Sequence, residues 1–190
     1  AKDRVQGRPV DGSQPGAVPI IQHPDVRRML LSMRAQTEAC RALAIVAAAS
    51  FDRAHAHPDA AVRAAELAFY EFLVPLVKGG STEMSIEVAS LGVQVHGGMG
   101  FIEETGAAQH YRDARIAPIY EGTNGIQALD LVGRKVAKDG GETMLGLVAD
   151  MRALADEMSA APGDDLAAIR AGVIAGADAL EDATRWVARS

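Results

Sequence analysis

The chain has 190 residues, of which 48% are hydrophobic and only 4% aromatic; its formal charge is −6 and it holds one cysteine, Cys40. That much apolar residue supports a sizeable core, and so few aromatic side chains point to closely packed helices of Ala, Leu, Val, Ile and Met rather than a β-sandwich. The acidic balance argues against nucleic acid or anionic membrane as the main partner, and a single cysteine excludes an intrachain disulfide framework. The longest apolar run, Ala42–Ala49, is too short to span a bilayer, and the opening residues carry no signal-peptide pattern. A cytoplasmic, helical protein is the expectation. The chain opens on Ala1 without an initiator Met and closes at Ser190 inside a helical pattern, so it reads as a piece of a longer chain.

Residues Val5 to Pro19 hold three glycines and three prolines and predict a loop or extended arm. A helix begins near Pro24, a residue suited to a first helical turn. Val26, Leu30, Met33, Thr37, Cys40, Ala44, Ala47 and Phe51 recur at alternating steps of four and three and predict its buried stripe. His55-Ala56-His57-Pro58-Asp59 punctuates the chain, with Asp59 as a cap. The two histidines read as loop residues, because at that spacing they diverge and no carboxylate or cysteine cluster accompanies them. A second helix follows, with Val62, Ala65, Phe69, Leu73 and Leu76 on one stripe. Pro75 kinks or ends it, since proline removes a backbone bond and crowds the preceding turn.

After Gly79-Gly80 a third helix is expected from Ser81 or Thr82 to His96, with Met84, Val88, Leu91 and Val95 as its apolar row. Gly97 fits the left-handed position that closes a helix. The glycines at 97, 98 and 100 do not form a dinucleotide fingerprint, because they follow a helix and no strand precedes them. Glu103 and Glu104 decorate the start of a short helix that carries His110, Tyr111, Arg112, Asp113 and Arg115. Asp139-Gly140-Gly141 breaks the next helix, near Lys138, and Thr143 restarts one with Leu145, Val148 and Leu154. Pro162-Gly163 ends that, and Asp164 or Asp165 caps a last helix with Leu166, Ile169, Val173, Leu180, Thr184 and Val187. No strand is expected.

One stretch concentrates the chemistry: Tyr120-Glu121-Gly122-Thr123-Asn124-Gly125-Ile126-Gln127. Thr123 or Asn124 can cap a helix opening there, with Ile126, Leu129, Leu131, Val132 and Val136 on its apolar face. Glu121 then sits at a loop-to-helix junction, where a ligand can approach closely past Gly122. By itself, Glu-Gly-Thr also reads as an ordinary acid in a helical first turn.

Three elements decide between these readings: Gln94-Val95-His96-Gly97-Gly98-Met99-Gly100-Phe101, then Tyr111-Arg112-Asp113-Ala114-Arg115, then Ile119-Tyr120-Glu121-Gly122-Thr123. In this order and spacing they resemble the acyl-CoA dehydrogenase family. Ala1 to Arg8 is similar to the family's Arg-containing segment, and His23-Pro24 sits at a matching position. The resemblance implies an all-α fold: the antiparallel four-helix bundle of the family's C-terminal domain over residues 1–138, followed by additional helices. Residues 142–190 look like the beginning of an extra helical domain found in a larger branch that includes methylthiopropanoyl-CoA and mycobacterial fatty acyl-CoA dehydrogenases.

What the resemblance implies for function is specific. Glu121 would be the base that removes the α-proton of an acyl-CoA thioester, while the β-hydrogen leaves as hydride to N5 of FAD, giving a trans-2-enoyl-CoA. Gly122 would leave room for the substrate. FAD would be held by Arg4, His23, Gln94, Val95, His96, Gly97, Gly98, Thr123, Asn124 and Gly125; Arg4 suits a pyrophosphate because its planar fork matches phosphate oxygens. No metal is implied. The partners implied are the acyl-CoA, a homodimer or dimer of dimers sharing the FAD site, and electron-transferring flavoprotein as acceptor. The family's N-terminal helical and middle β-domains lie outside this chain, so the fragment alone is expected to be inactive. The alternative is a non-catalytic helical module that keeps the fold for assembly.

Overall fold

A computed structural model describes Ala1–Arg189. The described residues form seven α-helices, α1 (Pro24–Ala56), α2 (Ala60–His96), α3 (Gly98–Phe101), α4 (Ala107–Ile116), α5 (Asn124–Leu129), α6 (Glu142–Met158) and α7 (Asp164–Val187), and no strand. The all-α expectation holds. The chain divides into two compact units: Ala1–Ala49 with Leu76–Asn124, and Ser50–Pro75 with the described residues from Gly125 onward.

In the first unit the arm folds back on itself through an isolated antiparallel bridge between Val5 and Pro19. Gln6 N–H donates to Val18 O at 3.0 Å and Ile20 N–H to Arg4 O at 2.8 Å, with Val18 buried beneath. Two contacts set the register of α1 on α2: Gln36 Nε2 to Glu87 Oε1 at 2.9 Å and Cys40 Sγ to Met84 Sδ at 3.4 Å. Numbers rise along one helix as they fall along the other, so the pair is antiparallel. The covered row of α1 differs by one residue from the expected stripe. Gln36, Leu43 and Ser50 are more covered than the expected Thr37, Ala44 and Phe51, whereas Ala47 is buried and Val26, Leu30, Met33 and Cys40 are half-buried. Three of the eight expected positions are thus exposed, in part because the covered face admits the polar Gln36 and Ser50.

The expected break in α2 does not occur; α2 is one helix of 37 residues through Pro75 and Gly79-Gly80. Proline and glycine cost such a helix about 3 and 1 kcal/mol per residue. Burial of Phe72, Leu73 and Pro75 offsets part of that. The weakened stretch also has side-chain partners: Thr82 Oγ1 donates to Lys78 O at 2.7 Å, and Asn124 Nδ2 donates to Gly79 O at 3.2 Å.

In the second unit Arg53 grips Glu66 with Nε at 2.6 Å and Nη2 at 3.0 Å, and this pairing holds the Glu66 carboxyl below its ordinary range. Asp59 caps α2 as expected, its Oδ1 taking the Ala61 N–H at 2.8 Å. The helix after Asn124 is α-helical only to Leu129, and Asp130–Val136 is π-helical. There Ala137 N–H reaches back to Val132 O at 2.8 Å. Of the expected apolar face Val136 is buried, whereas Ile126, Leu129 and Val132 are exposed. Helix α7 starts after Gly163, with Asp164 and Asp165 inside its first turn rather than capping it. The α6–α7 core uses Met144, Val148, Ala155 and Ala177; small residues let the helices approach, and the larger Leu154 and Ile169 face solvent.

The Asp139 segment is a cap as well as a break. Its Oδ1 accepts the Gly141 N–H at 2.8 Å and its Oδ2 the Thr143 N–H at 3.0 Å. Burial pushes this carboxyl up, but the bonds from Thr143, Gly141 and Glu142 outweigh it and hold it below the ordinary 3.8. A depressed carboxyl stabilises the fold above its unfolded value and loses that contribution as pH falls through the folded one. Asp139→Ala is therefore expected to cost about 1 kcal/mol at neutral pH. In denaturant unfolding the gap from wild type should close as pH falls below 3.8. A gap unchanged in acid would show that the carboxylate is not the capping species.

Candidate functional site

The loop after α4 is built around Pro118, which is buried. Ile119 and Tyr120 donate their N–H groups to Ile116 O at 3.0 and 3.2 Å, turning the chain off the end of α4. Glu121 then takes φ 51° and Gly122 φ 80°, two left-handed residues in succession. Glu121 is the one non-glycine residue with positive φ among the described residues. For an unbranched acid this conformation costs about 1–3 kcal/mol, and such strain gathers at functional positions. Asn124 N–H donates to Pro118 O at 3.0 Å and closes the loop where α5 begins. The expected loop-to-helix junction at Glu121 is present, and its side chain is exposed in this chain.

Asn124 is already helical and its amide reaches α2. Its Nδ2 donates to Thr82 Oγ1 at 3.0 Å and Glu83 Oε1 at 2.8 Å. Lys78 Nζ donates to Asn124 Oδ1 at 3.0 Å and to Gly122 O at 2.7 Å. Lys78, Thr82 and Glu83 were absent from the sequence-level site, because they lie more than 40 residues away in the chain. The one local signal was Gly79-Gly80, a point in α2 where backbone carbonyls are accessible to another segment.

The second group of candidates ends α2. Gln94 and His96 are exposed and Val95 is half-buried. His96 Nδ1 lies 2.8 Å from Gly92 O, and Gly97 N–H donates to Gln94 O at 3.0 Å. Gly97 has φ 63° but ψ −145°, so it does not close the helix in the left-handed conformation expected; it occupies a region reserved to glycine and leads into α3. The glycines differ in what they must accommodate. A Cβ at Gly97 or Gly98 would meet nothing within 4 Å, whereas one at Gly100 would collide with Val93 O and the His96 side chain. Gly98→Ala is expected to leave unfolding within about 0.5 kcal/mol of wild type, and Gly100→Ala to cost about 1–3 kcal/mol. Equal stability of the two variants in denaturant unfolding would contradict this division.

The third group is the arm. Arg4 Nη2 donates to Gln6 Oε1 at 3.2 Å, and His23 Nε2 lies 2.7 Å from Gln6 O. Gly7 has φ 75°, and its missing side chain leaves room for the His23 ring, 3.3 Å from where a Cβ would stand. His23 thus pins the segment that carries Arg4.

Of the two acids after α3, Glu103 is paired with Arg112, both nitrogen–oxygen distances being 2.8 Å; these bonds hold its carboxyl below the ordinary range. His57 Nδ1 accepts the Asp59 N–H at 3.1 Å, as befits a loop histidine. No group of His, Cys, Asp or Glu suited to a metal ion occurs among the described residues, and no helix among them is long and apolar enough to cross a membrane. An apolar groove of about 630 Å³ lies in the first unit between α1, α2 and α4, lined by Met33, Cys40, Met84, Val88, Gly92 and His96 among others. Glu121 does not line it, so this groove is distinct from the strained loop.

The family profile described as acyl-CoA dehydrogenase, C-terminal domain, matches residues 11–136. Over 143 residues the chain is 68% identical to the 3-methylmercaptopropionyl-CoA dehydrogenase of Ruegeria pomeroyi, covering 75% of this chain and 24% of that protein. It is 38% identical to a butyryl-CoA dehydrogenase of Syntrophomonas wolfei (75% and 23% covered). It is likewise 38% identical to the broad-specificity linear acyl-CoA dehydrogenase FadE5 of Mycobacterium tuberculosis (74% and 24% covered). The chain thus spans about a quarter of the length of these relatives. A solved structure titled Bd2924 apo-form shares the fold, with a TM-score of 0.63 at 22% identity over 90% of this chain and 34% of the other.

Proposed function

The chain belongs to the acyl-CoA dehydrogenase family through its C-terminal domain, and from that premise we propose that the whole protein oxidises an acyl-CoA thioester to the trans-2-enoyl-CoA. The observation that carries the proposal is Glu121 held at φ 51° beside Gly122 at φ 80°. A helical module kept only for assembly gives no reason to hold an acid in a strained left-handed conformation.

Glu121 is the base for the α-proton. A carboxylate used this way must lie within hydrogen-bond reach of the proton and in a site dry enough to raise its basicity. Walls supplied by the rest of the protein would provide that dryness, as Glu121 is exposed in this chain. Gly122, with no side chain, leaves the thioester room to approach the base.

The residues present fit FAD. Gly97 and Gly98 leave the end of α2 open, with nothing within 4 Å of a Cβ at either position, so a nucleotide can lie against that backbone together with Gln94, Val95 and His96. Thr123, Asn124 and Gly125 would hold it beside the base, and Arg4, steadied with His23 on the arm, would bind a pyrophosphate. When bound, the flavin supplies the acceptor for the β-hydride. Sharing of this site in a homodimer or dimer of dimers, electron-transferring flavoprotein as oxidant and a cytoplasmic location complete the proposal. So does the division into a family domain over 1–138 and an added helical domain from 142.

The relative at 68% identity makes 3-methylmercaptopropionyl-CoA the first substrate to test, and the relatives at 38% make straight-chain acyl-CoA the second. The test is anaerobic acyl-CoA-dependent bleaching of flavin in the full-length gene product, with no added electron acceptor, across a chain-length series of thioesters. Flavin that stays oxidised with every thioester would sink the proposal.

A further inference from the structure

The strained loop needs something to hold it. Glu121 and Gly122 are left-handed in succession, and only glycine enters that region freely. One end of the loop is fixed by the Asn124 N–H on Pro118 O at 3.0 Å. The other restraint comes from α2, where Lys78 Nζ donates to Gly122 O at 2.7 Å and to Asn124 Oδ1 at 3.0 Å. A bond from an ammonium to a carbonyl is about twice as strong as a neutral one. It holds the peptide that follows Gly122, and so limits how that residue, next to Glu121, can turn. Together these bonds restrain the loop on both sides of Glu121 and oppose its relaxation to an ordinary right-handed or extended conformation.

The lysine is itself oriented. Its Nζ lies between two acceptors, Gly122 O and Asn124 Oδ1, and the Asn124 amide is held in turn by Nδ2 donating to Thr82 Oγ1 at 3.0 Å. Asn124 Nδ2 also meets Glu83 Oε1 at 2.8 Å. Lys78, Thr82 and Glu83 lie within two turns of one helix, so α2 presents one polar face to the loop.

We infer that Lys78 is the positioning residue of the reaction, holding Glu121 in its strained conformation through the carbonyl of Gly122. This rests on Glu121 being the base, as proposed above. Lys78 acts through the backbone of the loop.

The test uses the full-length gene product as wild type, Lys78→Met, Lys78→Arg and Glu121→Gln, with two readouts. The first is amide hydrogen exchange over residues 120–124. Lys78→Met should raise it about tenfold or more there and leave α1 unchanged, as expected when a local restraint is lost. The second is the rate of acyl-CoA-dependent flavin bleaching beside the acyl-CoA dissociation constant. Lys78→Met should bleach about 10–100-fold more slowly, the cost expected of a displacement near 1 Å, with binding within about threefold. Lys78→Arg, which keeps a cation and donors, should recover most of both losses.

Exchange over 120–124 that matches wild type overturns the inference, as does a Lys78→Met protein that no longer folds, since the bond would then be structural. Two outcomes separate this inference from the proposal beneath it. If Lys78→Met loosens the loop while wild type bleaches with no thioester, the restraint is real and the dehydrogenation reading fails. If Glu121→Gln is dead and Lys78→Met bleaches like wild type, the base stands and the positioning role falls.

Discussion

Glu121→Gln in the full-length gene product is expected to slow acyl-CoA-dependent flavin bleaching by about 10³-fold, within the range attributed to one positioned base. Acyl-CoA binding should change little, because glutamine keeps the length and shape of the side chain and loses only its proton affinity. Bleaching at the wild-type rate would remove Glu121 from the chemistry. A companion variant tests why the acid stands where it does. Glu121→Gly should be equally slow, yet more stable than wild type by about 1 kcal/mol, since glycine adopts φ 51° without strain. Gain in stability with loss of activity is the signature of a residue retained for function. If Glu121→Gly is instead less stable, the acid contributes to folding and the strain argument fails.

Phe72→Ala should be the most destabilising single change in the second unit, costing about 3–5 kcal/mol. Phe72 is 1% exposed and stacks on Phe69 with ring centroids 6.5 Å apart. Aromatic residues make up only 4% of the chain, so few side chains of that volume exist to fill the space it would leave. Its position adds a second cost. It lies one turn before Pro75, where α2 has lost a backbone bond and depends on tertiary packing to stay continuous. Hydrogen exchange should therefore rise in α2 on both sides of Pro75, beyond the immediate neighbours of residue 72. Phe72→Leu, which fills most of the volume, should cost well under half as much. A Phe72→Ala protein within about 1 kcal/mol of wild type would mean the site collapses freely.

Much of the molecule was legible in the sequence because the signals are local. Low aromatic content and apolar residues at helical spacing settle the fold class. Pro24 and Asp59 mark helix starts through their own backbone and side-chain chemistry. The candidate site stood out as motifs: Gln94 to Phe101, Tyr111 to Arg115 and Ile119 to Thr123 resemble the family in order and spacing. The sequence also placed Glu121 at a junction of loop and helix, since the turn off α4 and the start of α5 are short-range events.

The tertiary structure alone decided what depends on distant partners. Pro75 and Gly79-Gly80 predict a break by propensity, yet α2 continues, because buried Phe72 and Leu73 and the amide of Asn124 supply what the helix lacks locally. Asn124 looks like a cap in sequence, but its side chain is used more than 40 residues away on Thr82 and Glu83. The π-helical turn at Asp130–Val136 has no local signature. Most telling is the backbone of Glu121. Its sequence neighbours allow a left-handed conformation without requiring it, and the restraints that hold it are a closing bond to Pro118 and an ammonium carried by another helix. A sequence specifies which groups can bond, but two groups separated by 44 residues meet only after the entropy of closing that loop has been overcome by packing elsewhere.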